Sequence, residues 1–175
     1  SFTYTGTGVY IIGRGTVAVI DPGPINADHF DALKAALEGE TISHVLVTHS
    51  HMDHSPLAHP LAEWAGCQVY AKGPAIPTES EVRMEAGDDL NFRPHVTISD
   101  GFTVSGPGWT VEAIETPGHT SGPLSYHMPD EGIAFTADTL FAMGCGRLFE
   151  GDEATTVLRR RRWRSPGAKD VRYRL

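Results

Sequence analysis

Short aliphatic and β-branched runs recur along the 175-residue chain, separated by turns or by helical patterns. The runs Val9 to Ile12 and Val17 to Ile20 flank Gly13-Arg14-Gly15, which predicts a β-hairpin. Apolar positions spaced three and four apart between His29 and Leu37 predict a helix. The residues able to cap this helix are Asn26 and Asp28.

The same alternation continues to about residue 141. A strand is predicted over His44 to Val47, and a helix from about Ser55 to Trp64. Further strands are predicted in QVYA, in a hairpin FTVSGPGWTVEAIETP, in LSYHM and in GIAFTAD, whereas Ala71 to Asp100 reads as an irregular connection. Strands with interposed helices in this order predict a layered α/β domain. We expect one domain over 1–158 and a basic tail over 159–175.

Charge is distributed unevenly between these two parts. Residues 1–158 carry six basic and 21 acidic side chains, whereas residues 159–175 carry eight basic side chains and one acidic one. An acidic body repels phosphate backbones, which disfavours RNA as a partner unless the tail supplies a cationic surface. We expect the run Arg159 to Arg164 to be a solvated terminus.

Other features of the sequence limit its class. No apolar run approaches the roughly 18 to 20 residues that span a bilayer, and the start lacks a basic region followed by an apolar one. We therefore expect no membrane partner and a cytoplasmic location. Because the sequence begins at Ser1 and not at methionine, it is also compatible with removal of a leader. Cys67 and Cys145 form no C-x-x-C pair, so we expect two buried thiols. The oligomeric state is left open.

Histidines crowd together directly after the strand predicted over His44 to Val47. The cluster contains His49, His51, Asp53, His54 and His59. Imidazole and carboxylate groups suit zinc, iron, manganese or cobalt. A loop leaving a buried strand directs alternate side chains to one side, so His49 and His51 can share one metal while Asp53 and His54 face a second. His59, at the far end of the cluster, and the histidines elsewhere in the chain are expected to be ordinary surface or hydrogen-bonded residues: His29, His44, His95 and His127.

Three further stretches accompany the H-x-H-x-D-H pattern of Thr48 to His54. They are AVIDPGP (Ala18 to Pro24), ETPGHTSG (Glu115 to Gly122) and AFTADTLF (Ala134 to Phe141). In this order they resemble an early strand ending in an aspartate, a histidine-bearing loop and a strand delivering a bridging aspartate in the metallo-β-lactamase fold superfamily. The resemblance covers most of the chain and implies an αββα sandwich.

The resemblance also implies a set of metal ligands. In it, one metal is held by His49, His51 and His119, a second by Asp53 and His54, and both by the bridging carboxylate of Asp138. Two metals about 3.5 to 4 Å apart lower the pKa of a shared water to near neutrality, giving a hydroxide that attacks a carbonyl or phosphorus centre. Asp53 would orient that hydroxide and accept its proton. We expect Asp21, Thr48 and Ser55 to orient the ligands by hydrogen bonding.

The sequence departs from the superfamily pattern after Asp138, because no histidine follows it. Relatives usually supply a further histidine to the second metal, and TVLRRRRWRSPGAKDVRYRL does not resemble the segment that completes their fold. We therefore expect the fold to be truncated or altered at its C-terminus, and the second metal to bind more weakly than the first. Zinc is the expected metal, and iron or manganese suits the same donors.

Two branches of the superfamily suggest different substrates. DTLFAMGCGRLFEG (Asp138 to Gly151) is similar to hydroxyacylglutathione hydrolases, or glyoxalase II, which implies that Arg147 and Phe149 contact glutathione. The stretches Phe2 to Pro24 and Val47 to Gly66 look closer to β-lactamase-like proteins related to a mitochondrial endoribonuclease. Hydrolysis of a small-molecule ester or thioester, of the hydroxyacylglutathione type, is the first hypothesis. RNA or phosphodiester hydrolysis is the alternative, and a catalytically impaired metal-binding remnant or engineered scaffold is the third.

Overall fold

The structure is a computed structural model that describes residues 7–73, 87, 89, 91–116 and 122–139, and the backbone of 172–174. Within these ranges the helices are α1 (Ala27–Ala36) and α2 (Ala58–Ala65). The strands are β1 (Tyr10–Arg14), β2 (Thr16–Ile20), β3 (Thr41–Leu46), β4 (Gln68–Ala71), β5 (Val96–Thr97), β6 (Thr103–Gly106), β7 (Trp109–Glu115), β8 (Leu124–Met128), β9 (Ile133–Phe135) and β10 (Arg172–Arg174). A short 3-10 turn, Ala137–Thr139, follows β9.

The strands form two five-stranded sheets. The first has the order β1-β2-β3-β4-β5, with β1 and β2 antiparallel and the remaining neighbours parallel. The second has the order β10-β9-β8-β7-β6 and is antiparallel except for the β9–β10 pair. Parallel pairing of β2, β3 and β4 places the carboxyl ends of these strands along one edge of the first sheet.

Strand periodicity divides the core into two layers. In β2, Val17 and Val19 face α1 and α2, while Ala18 and Ile20 face the second sheet. The helix-facing layer also contains Leu33, Leu37, Val45, Leu61 and Val69. The layer between the sheets contains Leu46, Trp109, Val111, Leu124, Tyr126 and Phe135. In the described part of the chain, the order of layers is thus helices, first sheet and second sheet, which confirms the predicted α/β fold class.

Most elements expected from the hydrophobic pattern are present. The β1–β2 hairpin, α1, β4 and the β6–β7 hairpin lie where they were predicted, and the Asn26 side chain caps α1 by accepting a hydrogen bond from the backbone N of His29. The predicted start of α2 at Ser55 is wrong by three residues. The backbone N of Leu57 donates to the carbonyl of Gly23, which keeps this stretch in turns before the helix begins at Ala58.

Two short strands lie where none was expected. Val96–Thr97 pairs with β4 inside the stretch expected to be irregular, because the backbone of Ala71 and Ile98 continues the parallel ladder. Arg172–Arg174 pairs with β9, so the chain returns to the second sheet after the basic run. The run Arg159 to Arg164, expected to be solvated, lies outside the described residues.

Two expectations about the whole chain can be compared with the structure. None of the helices it describes is long and apolar enough to cross a membrane. Cys67 is half-buried rather than fully buried, and desolvation raises the pKa of its thiol. Cys145 lies outside the described residues.

Candidate metal centre

The histidine cluster follows β3 at the edge where parallel strands end. The second sheet holds this loop from the other side, because the Tyr126 hydroxyl donates to the carbonyl of Val47 at 2.9 Å and the backbone N of Leu124 donates to the carbonyl of Thr48 at 2.8 Å. Burial raises the pKa of Tyr126 well above its usual range, so its hydroxyl stays a donor. Both contacts join the cluster to β8, which pairs with β9, and the 3-10 turn that follows β9 carries Asp138.

Three predicted ligands converge at this point. One ligand atom from each of His49, His51 and Asp138 lies within 4.8 Å of the other two. His49 Nε2 lies 3.0 Å from His51 Nδ1 and 3.9 Å from Asp138 Oδ2. Two imidazole nitrogens and a carboxylate oxygen at this spacing are a donor set of the kind that zinc, iron and manganese accept.

A second group of donors lies beside the first. His54 Nε2 lies 3.5 Å from Asp53 Oδ2 and 3.8 Å from Asp138 Oδ1. The Asp138 carboxylate therefore presents one oxygen to His49 and the other to His54. His54 Nε2 is buried, and no partner within hydrogen-bond geometry is present for it in the described residues. A buried imidazole nitrogen left in this way between two carboxylates fits a metal position.

Asp21 is hydrogen-bonded to His54 directly and to His49 through the Thr48 hydroxyl. Its Oδ2 accepts hydrogen bonds from the Thr48 hydroxyl at 2.7 Å and from His54 Nδ1 at 2.9 Å, and its Oδ1 accepts from the backbone N of Thr48 at 2.8 Å. Because the Thr48 hydroxyl gives its proton to Asp21, its oxygen accepts from His49 Nδ1 at 3.0 Å. Both rings thus carry a proton on Nδ1, which directs Nε2 of His49 and of His54 toward Asp138.

Two residues at the centre, Asp21 and the residue before Asp138, have a left-handed backbone conformation. Asp21 has φ 48°, and Ala137, which immediately precedes Asp138, has φ 42°. Residues other than glycine rarely adopt this left-handed region, and they do so where surrounding contacts over-determine the conformation. At Asp21 those contacts include a hydrogen bond from its backbone N to the carbonyl of Leu46. Both left-handed residues lie just after a strand, Asp21 after β2 and Ala137 after β9.

The loop that carries the histidine cluster is held in shape by hydrogen bonds to its own backbone carbonyls. Ser55 is buried, and its hydroxyl donates to the carbonyls of Ser50 at 3.0 Å and His51 at 3.2 Å. Ser55 therefore shapes the loop and does not contact a ligand side chain through these bonds. Gly23, at φ 92°, donates its backbone N to the carbonyl of His54, and a Cβ there would lie 3.1 Å from the ring of His29. The turn that carries Asp21 is thus packed tightly against the loop.

Charge in the centre favours a cation. Burial by itself lowers the pKa of His54, but the carboxylates of Asp21, Asp53 and Asp138 outweigh this effect and raise it to about 9. When no metal is bound, the His54 ring is therefore protonated on both nitrogens and positively charged at neutral pH. A divalent cation at His54 Nε2 would take the place of the proton there, beside Asp53 and Asp138, while Asp21 stays hydrogen-bonded to Nδ1.

Several predicted site residues cannot be compared with the structure. His119, expected as the third ligand of the first metal, lies outside the described residues, as do Arg147 and Phe149. Conversely, the structure shows contacts that the sequence did not reveal. Thr7 donates its hydroxyl to Asp53, and Thr116 shares hydrogen bonds with Ser125 and Thr139. Thr7 and Ser125 lie outside the sequence motifs, and although Thr116 and Thr139 lie within ETPGHTSG and AFTADTLF, nothing in those motifs indicates that the two hydroxyls meet.

The other histidines have ordinary surroundings. His29 Nε2 contacts the carbonyl of Pro22 at 2.8 Å, His44 Nδ1 contacts the Ser43 hydroxyl at 2.9 Å, and His95 Nδ1 accepts from the backbone N of Val69 at 3.0 Å. Among the described histidine, cysteine, aspartate and glutamate residues, His49, His51 and Asp138 form the one group of three whose ligand atoms all lie within 4.8 Å of one another.

Curated relatives share much of this sequence. Hydroxyacylglutathione hydrolases from Brucella ovis and Brucella abortus are each 41% identical to the chain over 133 residues, which is 75% of the chain and 47% of the relative. The chain thus spans about half the length of the curated relatives it matches.

Solved structures share the fold at lower identity. The B3 metallo-beta-lactamase BLEG-1 superposes with a TM-score of 0.67 and 21% identity, covering 86% of this chain and 77% of that one. The di-iron-bound form of TTHA1623 gives a TM-score of 0.69 and 23% identity, covering 89% and 80%. Sequence similarity to the family described as the Metallo-beta-lactamase superfamily extends over residues 5–170. Since this match includes nearly the whole chain and the two-sheet fold agrees with it, the chain belongs to the metallo-beta-lactamase superfamily.

Proposed function

We propose that this chain is a metal-dependent hydrolase with two adjacent metal positions, and that it cleaves a thioester of the hydroxyacylglutathione type. The observation that best supports a metal-dependent activity is the position of Asp138. Its two carboxylate oxygens face His49 Nε2 at 3.9 Å and His54 Nε2 at 3.8 Å, which supports one side chain that would serve both positions.

The first position would be formed by His49, His51 and Asp138, with His119 as a further ligand. The second would be formed by Asp53, His54 and Asp138. Two bound metals supply Lewis acidity and lower the pKa of a coordinated water. Asp53, whose side chain is 40% exposed, would orient the attacking water and accept its proton.

Zinc is the metal we propose, because imidazole and carboxylate donors match its preferences. The same donors accept iron and manganese, and the structure of TTHA1623 is of a di-iron-bound form. Metal identity is therefore one variable of the experiment, with zinc, iron(II) and manganese(II) added separately.

The thioester part rests on sequence similarity. The relatives that are 41% identical over 75% of this chain are named hydroxyacylglutathione hydrolases. In this proposal Arg147 and Phe149 contact the glutathione portion. We expect Arg147→Gln to raise KM for a glutathione thioester and to leave kcat nearly unchanged, because a contact present in both ground and transition states changes binding alone.

The decisive experiment is turnover of S-lactoylglutathione by metal-loaded protein, with His51→Ala as the inactive comparison. His59→Ala is the matched control, because His59 lies on α2 and packs against Phe92 and His95. Thioester cleavage that is lost in His51→Ala and retained in His59→Ala supports the proposal. Metal uptake without turnover would instead support an impaired metal-binding remnant, and cleavage of single-stranded RNA with no thioester cleavage would support the phosphodiester alternative.

A further inference from the structure

The N-terminal part of the described chain reaches into the metal centre through one side chain. The hydroxyl of Thr7 donates a hydrogen bond to Asp53 Oδ2 at 2.6 Å, across 46 positions of sequence. The same Asp53 oxygen lies 3.5 Å from His54 Nε2. Thr7 thus contacts the carboxylate on the side that faces the second metal position.

Asp53 needs such a partner more than the other carboxylates of the centre do. Its side chain is 40% exposed, whereas that of Asp138 is 24% exposed and that of Asp21 is 3% exposed. An exposed aspartate on a loop is free to rotate toward water unless a neighbour restrains it. Among the described residues, Thr7 is the one that donates a hydrogen bond to the Asp53 carboxylate.

Thr7 is itself well placed to restrain a partner. Its β-branched side chain has few rotamers, and β1 begins three positions later at Tyr10. The Tyr10 ring packs against Phe135 with centroids 4.8 Å apart, and Phe135 lies three positions before Asp138. The segment that carries Thr7 is therefore attached to the strand that delivers the bridging carboxylate.

We propose that Thr7 is a positioning residue that holds the Asp53 carboxylate toward the second metal position. The inference rests on the proposed two-metal centre, but it concerns metal affinity and not the choice of substrate. Hydrogen-bonding partners of metal ligands commonly change metal affinity by about 10- to 100-fold when they are removed. Loss of the Thr7 hydroxyl is therefore expected to weaken the second metal and to leave the first nearly unchanged.

The test is a competition titration of zinc against a chromogenic chelator in the full chain, comparing Thr7→Val with Thr7→Ser. We expect Thr7→Val to weaken the second zinc about tenfold or more, and Thr7→Ser to stay within about twofold of the parent chain. Thr16→Val is the matched control, because Thr16 is also half-buried but lies at the hairpin end of β2, away from the centre. It should change neither zinc affinity.

A double-mutant cycle distinguishes positioning from a general loss of structure. In an Asp53→Asn background, where the charged ligand is already gone, Thr7→Val should have little further effect on zinc affinity. An equal effect in both backgrounds would overturn the inference, as would unchanged second-zinc affinity in Thr7→Val or uptake of only one zinc by the parent chain. If the second zinc weakens as expected but no thioester is cleaved, the role of Thr7 stands and the proposed substrate fails.

Discussion

Asp21 Oδ2 accepts a hydrogen bond from His54 Nδ1 at 2.9 Å, and both side chains are almost completely buried. The same oxygen accepts the Thr48 hydroxyl, which in turn accepts from His49 Nδ1. One carboxylate outside the proposed ligand set thus fixes the tautomers of two proposed ligands, one for each metal position. The geometry of the centre depends on this contact as well as on the ligands themselves.

Replacing Asp21 with asparagine should weaken metal binding. The amide keeps the size of the side chain but removes the charge. In either orientation its NH2 group faces a donor that needs an acceptor, either the backbone N of Thr48 or the pair His54 Nδ1 and Thr48 Oγ1. We expect Asp21→Asn to lower zinc affinity about 10- to 100-fold, measured by chelator competition. Asp130→Asn, at an exposed turn, is the control and should have no effect. Equal zinc affinities in the two variants would contradict a role for Asp21.

The stability of the metal-free protein should depend on pH through His54. The three surrounding carboxylates raise its pKa to about 9 from an ordinary value of 6.5. A pKa raised by folding contributes stability that is fully present below pH 6.5 and is lost as pH rises through about 9. A shift of this size corresponds to about 3 kcal/mol.

Urea unfolding of metal-free protein at pH 6 and pH 9.5 measures this contribution. The free energy of unfolding of the parent chain should fall between these values by more than that of His54→Gln, which has no titrating ring. Parallel pH profiles for the two proteins would show that the ring is not charged in the folded state. Zinc binding at neutral pH should also release a proton, which a pH indicator in weak buffer detects.

Thr116 joins the end of β7 to the 3-10 turn that contains Asp138. Its buried hydroxyl lies 2.9 Å from Ser125 Oγ and 3.1 Å from Thr139 Oγ1. Thr116→Val keeps the shape but leaves these partners without their shared hydrogen bond, and we expect a loss of about 1 to 3 kcal/mol of unfolding free energy. Thr116→Ser should recover most of it. If the valine variant unfolds at the same urea concentration as the parent chain, the network does not contribute to stability.

Gly13 is a position where a side chain should not be tolerated. It has φ 98°, and a Cβ there would overlap the indole of Trp109, whose Nε1 donates to the carbonyl of Thr16 at 2.9 Å. Gly15 has φ 74° but nothing within 4 Å of an added Cβ, so it isolates the effect of backbone strain. We expect Gly15→Ala to cost about 1 to 2 kcal/mol and Gly13→Ala clearly more, as measured by urea unfolding. Similar losses in the two variants would mean that the indole moves aside.

The element pattern was predictable because it depends on short-range periodicity. The alternation in β2 and the three-and-four spacing in α1 each record which face of one element is buried, and this information lies within about ten residues. The H-x-H-x-D-H stretch likewise combines ligand chemistry and spacing in one loop. These features led to the fold class, the superfamily and the identity of the residues around His49 before any contact was known.

The contacts between distant segments could not be predicted from these short-range sequence patterns. Thr7 meets Asp53, and Tyr126 reaches the carbonyl of Val47, because strand order and sheet packing bring separate segments to one edge. The left-handed conformation of Asp21 is held by hydrogen bonds to Leu46, Thr48 and His54, which lie more than 20 positions away, and that of Ala137 is likewise not predicted by its local sequence. By itself, the sequence determined which groups are available for metal chemistry. The tertiary structure decided which of them face one another, because those distances depend on long-range strand pairing that no local pattern encodes.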